Sequence, residues 1–225
     1  MQRLKRAGVD ARELDAGVYS HRHVDHCGDL VPLLFTMKVG IDIRRQRDYP
    51  IWAGEGFNEF LADLRATYGH WLEGEGWTTQ VTQLPLDGPG SGDLPGGVRL
   101  DTLPAVHSAG ALHLKFSFGG KSLVFSGDTG PSENLVELAC GVDLLVTECA
   151  IPEPDDYGGH LCPADVLDLL TRARPKRAVL THFYPFVDEA TAMATVAASG
   201  VPVERGYDGM ELSLTPTRSS RAASS

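Results

Sequence analysis

Across six consecutive positions, His21-Arg22-His23-Val24-Asp25-His26, the chain sets three imidazoles and a carboxylate. Imidazole nitrogen and carboxylate oxygen are donors that suit zinc and its neighbours among the divalent metals. The residues before them, Gly17 to Ser20, read as a strand, and a helix is expected from about Asp29. His21 to His26 therefore fall on a turn, where closely spaced side chains fan toward two points. A regular strand or helix would not allow that. Further along, His107 closes Pro104-Ala105-Val106-His107, Asp128 follows Leu123-Val124-Phe125-Ser126-Gly127, and His182 follows Ala178-Val179-Leu180-Thr181. Each stands at the end of an apolar, strand-like run. Singly, such residues are more often turn or core residues than ligands; together they extend one donor set. Glu148 ends a further run from Leu144, and His160 stands just before Pro163. Alone, these two would read as a surface charge and a helix entry.

The elements that must hold these residues are short. Strands are expected at Val98 to Val106, Leu112 to Phe118, Leu123 to Ser126, Leu144 to Thr147, Ala178 to Thr181 and Met210 to Leu214. In Leu112 to Phe118 the even positions are all apolar, so His113, with Lys115 and Ser117, is expected on the surface. A strand-like piece surrounds Ile51. Phe57, Phe60, Leu61, Leu64 and Tyr68 recur at helical spacing. Pro163 opens a helix in its first turn, Asp188 caps another that stops at Gly200, and Gln2 to Ala7 is helix-like. Residues 87–97 read as a turn-rich loop. The strand–helix alternation after residue 120 argues for a layered α/β fold. One domain is expected over 1–216, and the Ser-, Arg- and Ala-rich stretch 217–225 reads as a disordered tail.

A chain of 225 residues with 42% apolar and 22% charged content has the composition of an ordinary globular protein. The net charge of −10 opposes indiscriminate binding to nucleic acid. Arg44, Arg45 and Arg47 form a short basic run, which reads as a solvated face. The N-terminal basic residues have no apolar segment behind them, and no apolar run is long enough to cross a bilayer. Cys27, Cys140, Cys149 and Cys162 form no C-x-x-C pair, so reduced thiols in the cytoplasm are expected. Cys27 and Cys162 lie beside candidate site residues and are expected to be buried packing residues.

His-x-His-x-Asp-His after a strand, with His107, Asp128 and His182 following in that order, resembles the signature of the metallo-β-lactamase superfamily. The resemblance implies an α/β, four-layer αββα sandwich and a hydrolase with two divalent metal ions, most plainly zinc, with manganese or iron as alternatives. His21, His23 and His107 would hold one ion, Asp25, His26 and His182 the other, and Asp128 would bridge them. The zinc β-lactamases carry cysteine where Asp128 stands, so the wider hydrolase group is favoured over antibiotic hydrolysis. Within that group Phe125 to Pro131, Leu144 to Cys149 and Gly159 to Ala164 are similar to ribonuclease Z and its phosphodiesterase-like relatives. In that family the residues matching Glu148 and His160 form a pair near the metals, and the histidine acts as general acid. Asp25 or Asp128 would accept the proton of the nucleophile.

Two features depart from the family pattern. Only 20 residues precede the His21 motif, so the first N-terminal strands are expected to be missing, leaving an exposed sheet edge. No long basic Gly-rich arm is present, which with the net charge weakens the expectation of transfer RNA, so that a smaller phosphodiester or another ester stands beside RNA as the expected substrate. A thioesterase or lactonase acting on a carbonyl, and a truncated, catalytically silent metal-binding module, are the competing readings. A homodimer would be in keeping with the family.

Overall fold

A computed structural model describes residues 1–39, 45–154 and 159–214. Arg44 and the tail read over 217–225 lie outside the described residues. In chain order the elements are α1 (Gln2–Arg6), β1 (Gly17–Tyr19), α2 (Val24–Cys27), α3 (Leu30–Lys38), β2 (Ile51–Gly54), α4 (Phe57–Tyr68) and β3 (Val81–Leu84). There follow β4 (Gly90–Leu94), β5 (Val98–Pro104), β6 (Leu112–Phe118), β7 (Lys121–Phe125) and α5 (Glu133–Ala139). The last are β8 (Leu144–Glu148), α6 (Pro163–Ala173), β9 (Ala178–Thr181), α7 (Glu189–Val196) and β10 (Val203–Arg205).

The strands form a parallel three-stranded sheet, β1-β2-β3, and a seven-stranded sheet, β10-β9-β8-β7-β6-β5-β4. Strands β7 to β10 run parallel, with helices in the crossovers, while β4 to β7 are an antiparallel meander. Three apolar clusters fill the spaces between four layers. Leu34, Met37, Ile51, Phe57 and Leu61 pack α3 and α4 on the small sheet. Trp52, Leu84, Leu100, Leu112 and Leu114 lie between the sheets. Val124, Leu145 and Leu180 pack the large sheet beneath Leu135, Leu170 and Val196 of α5, α6 and α7. Strand β2 shows the alternation that makes this work: Ile51 and Ala53 face the helices, and Trp52 faces the other sheet. This is the expected αββα sandwich. Strand β1 is its first strand and, among the described residues, pairs with β2 alone.

Several expectations are corrected. His113 is completely buried, not on the surface: both faces of β6 are covered, and α5 lies over the face that its polar residues occupy. Residues 90–94 form β4 because Gly90 to Leu94 pair antiparallel with Thr102 to Val98, despite a sequence poor in strand formers. Residues 210–214 form no strand; Met210 and Leu212 instead line a cleft with Val146 and Val179. Arg45 is buried, donating to the carbonyls of Arg12, Leu14 and Asp48, so it belongs to no solvated basic face. The helix limits hold better. Asp188 Oδ1 accepts from the Ala190 and Thr191 amides at 3.0 and 3.2 Å, and Gly200, at φ 74°, ends the last turn.

Candidate metal centre

The loops after β1, β5, β7 and β9 meet at one edge of the sandwich and bring His21, His23, Asp25, His26, His107, Asp128 and His182 together. The backbone joins the two sheets there, since the Leu112 amide donates to the Ser20 carbonyl at 2.9 Å. The loop carrying Asp128 passes so close that a Cβ on Gly127 would lie 2.9 Å from Ser20 Cβ, and Gly127 has φ 61°. Only glycine adopts this position without strain. His182 also has positive φ, at 57°, which turns the chain sharply after β9 and aims the ring back toward the cluster. Asp25 and His26 sit on one turn of helix, α2, rather than on an irregular turn.

Two groups of donor atoms share Asp128, beside a third made by Glu148, His160 and His182. His21, His23, His107 and Asp128 form one; Asp25, His26, Asp128 and His182 form the other; within each group the atoms lie within 4.8 Å of one another. Asp128 belongs to both. Its Oδ2 is 3.8 Å from His21 Nε2 and 4.0 Å from His107 Nε2, while Oδ1 is 3.2 Å from His26 Nε2. His182 Nε2 lies 3.4 Å from Asp128 Oδ2 and 3.3 Å from Asp25 Oδ2. Among the described residues, His21 Nε2, His26 Nε2 and His182 Nδ1 are buried nitrogens of this cluster without a hydrogen-bond partner. Buried polar atoms are nearly always satisfied, and an orphaned Nε2 in each of the two groups that share Asp128 calls for an ion there.

The electrostatics keep donor lone pairs available. Burial, aided by neighbouring His26, pushes His21 down to about 3, and burial likewise lowers His107. Both are neutral at neutral pH. His107 Nδ1 faces the Gly159 carbonyl at 2.8 Å and donates to it, which leaves the Nε2 lone pair on the side of His23 Nδ1, 3.0 Å away. Burial opposes the charge on His26 and on Asp128, but their mutual contact outweighs it, holding His26 above its usual range and Asp128 below its own.

Beside the cluster, Glu148 is buried at the end of β8 and accepts from the Thr129 amide at 2.6 Å and the Leu161 amide at 3.2 Å. Its two oxygens lie 3.1 and 3.2 Å from His160 Nδ1. Burial raises Glu148, with His160 and the Thr129 amide working against it. The His160 ring is 5.0 Å from that of His107 and 5.8 Å from that of His182, so the pair adjoins both groups. All nine residues singled out in the sequence thus converge. Tyr184 was not singled out, yet its hydroxyl is 3.1 Å from His160 Nε2; its sequence signal is its place two residues after His182. Cys27 and Cys162 are buried, belong to neither donor group, and serve packing.

A family model described as the beta-lactamase superfamily domain matches residues 1–183, and the chain belongs to the metallo-β-lactamase superfamily. The chain is 25% identical over 181 residues to the probable metallo-hydrolase YhfI of Bacillus subtilis, covering 79% of this chain and 69% of that one. It is 24% identical over 243 residues to ribonuclease Z of Mycobacterium bovis, covering 97% and 86%. In structure it resembles the short form of human tRNase Z, with TM-score 0.71, 18% identity and coverage of 94% and 83%. The last likeness shows the fold. Together with the family, these relatives make the chain a metal-dependent hydrolase. No helix among the described residues is long and apolar enough to cross a membrane.

Proposed function

We propose that this chain is a two-cation phosphodiesterase, loaded with zinc, that acts on small phosphodiesters. The residues fit such a pair of ions: five histidines and two aspartates supply the donor types that zinc takes, and His21 Nε2 and His26 Nε2 are orphaned without one. His21, His23 and His107 would hold one ion, Asp25, His26 and His182 the other, with Asp128 shared. When bound, such ions lower the pKa of water from 15.7 toward about 7 and polarise the substrate's oxygen.

The protein's own groups do the rest. Asp25, the more solvent-exposed of the two carboxylates, accepts the proton of the attacking water. Glu148 fixes His160 through Nδ1, so Nε2 is the nitrogen that serves the leaving oxygen. The Glu148–His160 pair is the observation that carries the phosphodiester reading. An alkoxide leaving from phosphorus needs a proton, whereas thioester or lactone hydrolysis needs less help of this kind. The kinship with ribonuclease Z supports phosphorus as the electrophile, while the net charge of −10 and the burial of Arg45 favour a small substrate over a folded RNA. The four cysteines are all free, which supports a reducing compartment such as the cytoplasm.

The test compares zinc-loaded protein on bis(p-nitrophenyl) phosphate, on an acyl thioester and on a transfer RNA precursor. Turnover of the phosphodiester above both others is the expected result. Faster turnover of the thioester would overturn the reading in favour of a carbonyl hydrolase.

A further inference from the structure

The loops that carry the metal ligands also carry apolar side chains that the core does not use. Val24 stands between His23 and Asp25, Val106 precedes His107, and Phe186 follows His182 in the loop after β9; all three are exposed. Exposed apolar residues scattered singly over a surface need no explanation, but a set gathered in the loops of a polar centre marks a binding surface. Phe186 is held firmly. It is the third residue of a turn, Tyr184-Pro185-Phe186-Val187, closed by the Val187 amide donating to the Tyr184 carbonyl at 3.0 Å. Pro185 presets the first central angle of that turn. The Tyr184 amide donates to the Ala150 carbonyl at 3.2 Å, and Val187 is buried in the core with Ala192 and Val196 of α7. Glycine, asparagine, aspartate or serine is usual in such a turn, and nothing in its backbone calls for phenylalanine. Yet the Phe186 ring is 66% exposed, and its ring contact among the described residues is the edge-to-face one with Tyr184, centroids 5.6 Å apart.

We infer that Phe186 is a specificity-determining residue, a platform on which the base of the leaving nucleoside stacks while the phosphodiester lies at the His/Asp cluster. The inference deepens the phosphodiesterase reading above and rests on it. The Tyr184 ring is 5.3 Å from that of His160 and 5.4 Å from that of His182, and Phe186 lies one ring further on. His160 serves the leaving oxygen in that reading, so the group that reaches past it to Phe186 is the leaving group. This spacing leaves a sugar's breadth between the phosphate and the platform. The ring of an aryl ester, bonded directly to the phosphate oxygen, falls short of it. An apolar ring recognises the flat face of a base and is tolerant of which base it is. The surroundings offer little to read a base edge. Arg22, the cation within the metal motif, is turned onto the Gly56 carbonyl at 3.2 Å, and Val24 and Val106 have no polar side-chain atom. The platform therefore sorts substrates by whether the leaving sugar carries a base.

The experiment gives the zinc-loaded protein thymidylyl-thymidine and its two analogues in which one or the other nucleoside is replaced by an abasic sugar. The products show which sugar leaves. Losing one base–aromatic stack weakens binding about 5- to 150-fold, so wild type is expected to show a KM raised by about that factor for the analogue whose leaving sugar is abasic. The analogue abasic on the retained side is expected to behave like thymidylyl-thymidine. Phe186→Ala is expected to erase the preference for a base on the leaving side, and Phe186→Trp to keep it. Zinc content and melting temperature, measured on the same samples, are expected to match wild type because the ring is exposed. Equal KM for thymidylyl-thymidine and the leaving-side abasic analogue in wild type, or a preference that survives in Phe186→Ala, would overturn the platform and leave the phosphodiesterase reading standing. A Phe186→Ala chain that loses zinc or melts well below wild type would make the ring a structural one and overturn it too. So would wild type that cleaves bis(p-nitrophenyl) phosphate but no dinucleotide. Wild type inactive on every phosphodiester with zinc bound would overturn the underlying reading and the platform with it.

Discussion

Replacing His113 by leucine should make the stability of this protein less sensitive to acid, although it lowers stability at neutral pH. His113 is buried in β6, with Nδ1 donating to the Ser126 carbonyl at 2.7 Å and Nε2 3.1 Å from Ser132 Oγ, the cap of α5. Burial pushes its pKa from 6.5 down to about 4. Below pH 6.5 the unfolded chain takes up a proton that the folded chain refuses until about pH 4. The neutral imidazole's contribution is therefore complete above the unfolded value and is lost progressively as pH falls toward the folded one. The unfolded group is half protonated at pH 6.5 and the folded one begins to protonate at about 4.5, so the loss between these values is about 2 kcal/mol. Leucine has nothing to titrate but leaves the Ser126 carbonyl without its donor, a cost of about 1–3 kcal/mol. Urea unfolding of chelated protein at pH 7.5, 6.5, 5.5 and 4.5 gives the stability of each form. The histidines of the metal cluster titrate in both and cancel in the difference. The advantage of wild type should shrink by about 2 kcal/mol between pH 6.5 and 4.5. A constant difference would refute a buried, neutral His113.

Glu148→Gln keeps the shape but removes the charge that orients His160, so turnover of thymidylyl-thymidine should fall about 10²-fold with zinc content retained, read by kinetics and mass spectrometry. Gly127→Ala forces a Cβ against Ser20 at positive φ and should cost about 1–3 kcal/mol in urea unfolding. Asp188→Ala removes the cap of α7 and should cost about 1 kcal/mol without altering turnover.

Strand β6 was legible to the residue through its period-2 alternation, strand β9 as a short run buried on both faces, and helix α4 through the 3.6 spacing of Phe57, Phe60, Leu61, Leu64 and Tyr68. The donor residues were legible because their chemistry is dense and their order is characteristic. Other features depend on partners distant in sequence. Strand β4 exists through its pairing with β5, and Gly92 is needed because Trp52 Nε1 would lie 2.7 Å from any Cβ there. The alternation in β6 showed that His113 faces away from Leu112 and Leu114, but not that α5 covers it. Met210, Leu212 and Leu214 alternate like a strand, yet among the described residues they join no sheet, and the Met210 amide donates instead to the Tyr207 carbonyl at 3.0 Å. Tyr184 belongs to no periodic pattern, and its place against His160 follows only from the fold.

The central claim is a pair of ions sharing Asp128, and equilibrium dialysis of the chelated chain against zinc tests it most directly. The account predicts two zinc ions retained per wild-type chain, a rise in melting temperature on loading, and loss of at least one ion in Asp128→Ala. A folded wild-type chain that retains no zinc, or an Asp128→Ala variant that still retains two, would contradict it.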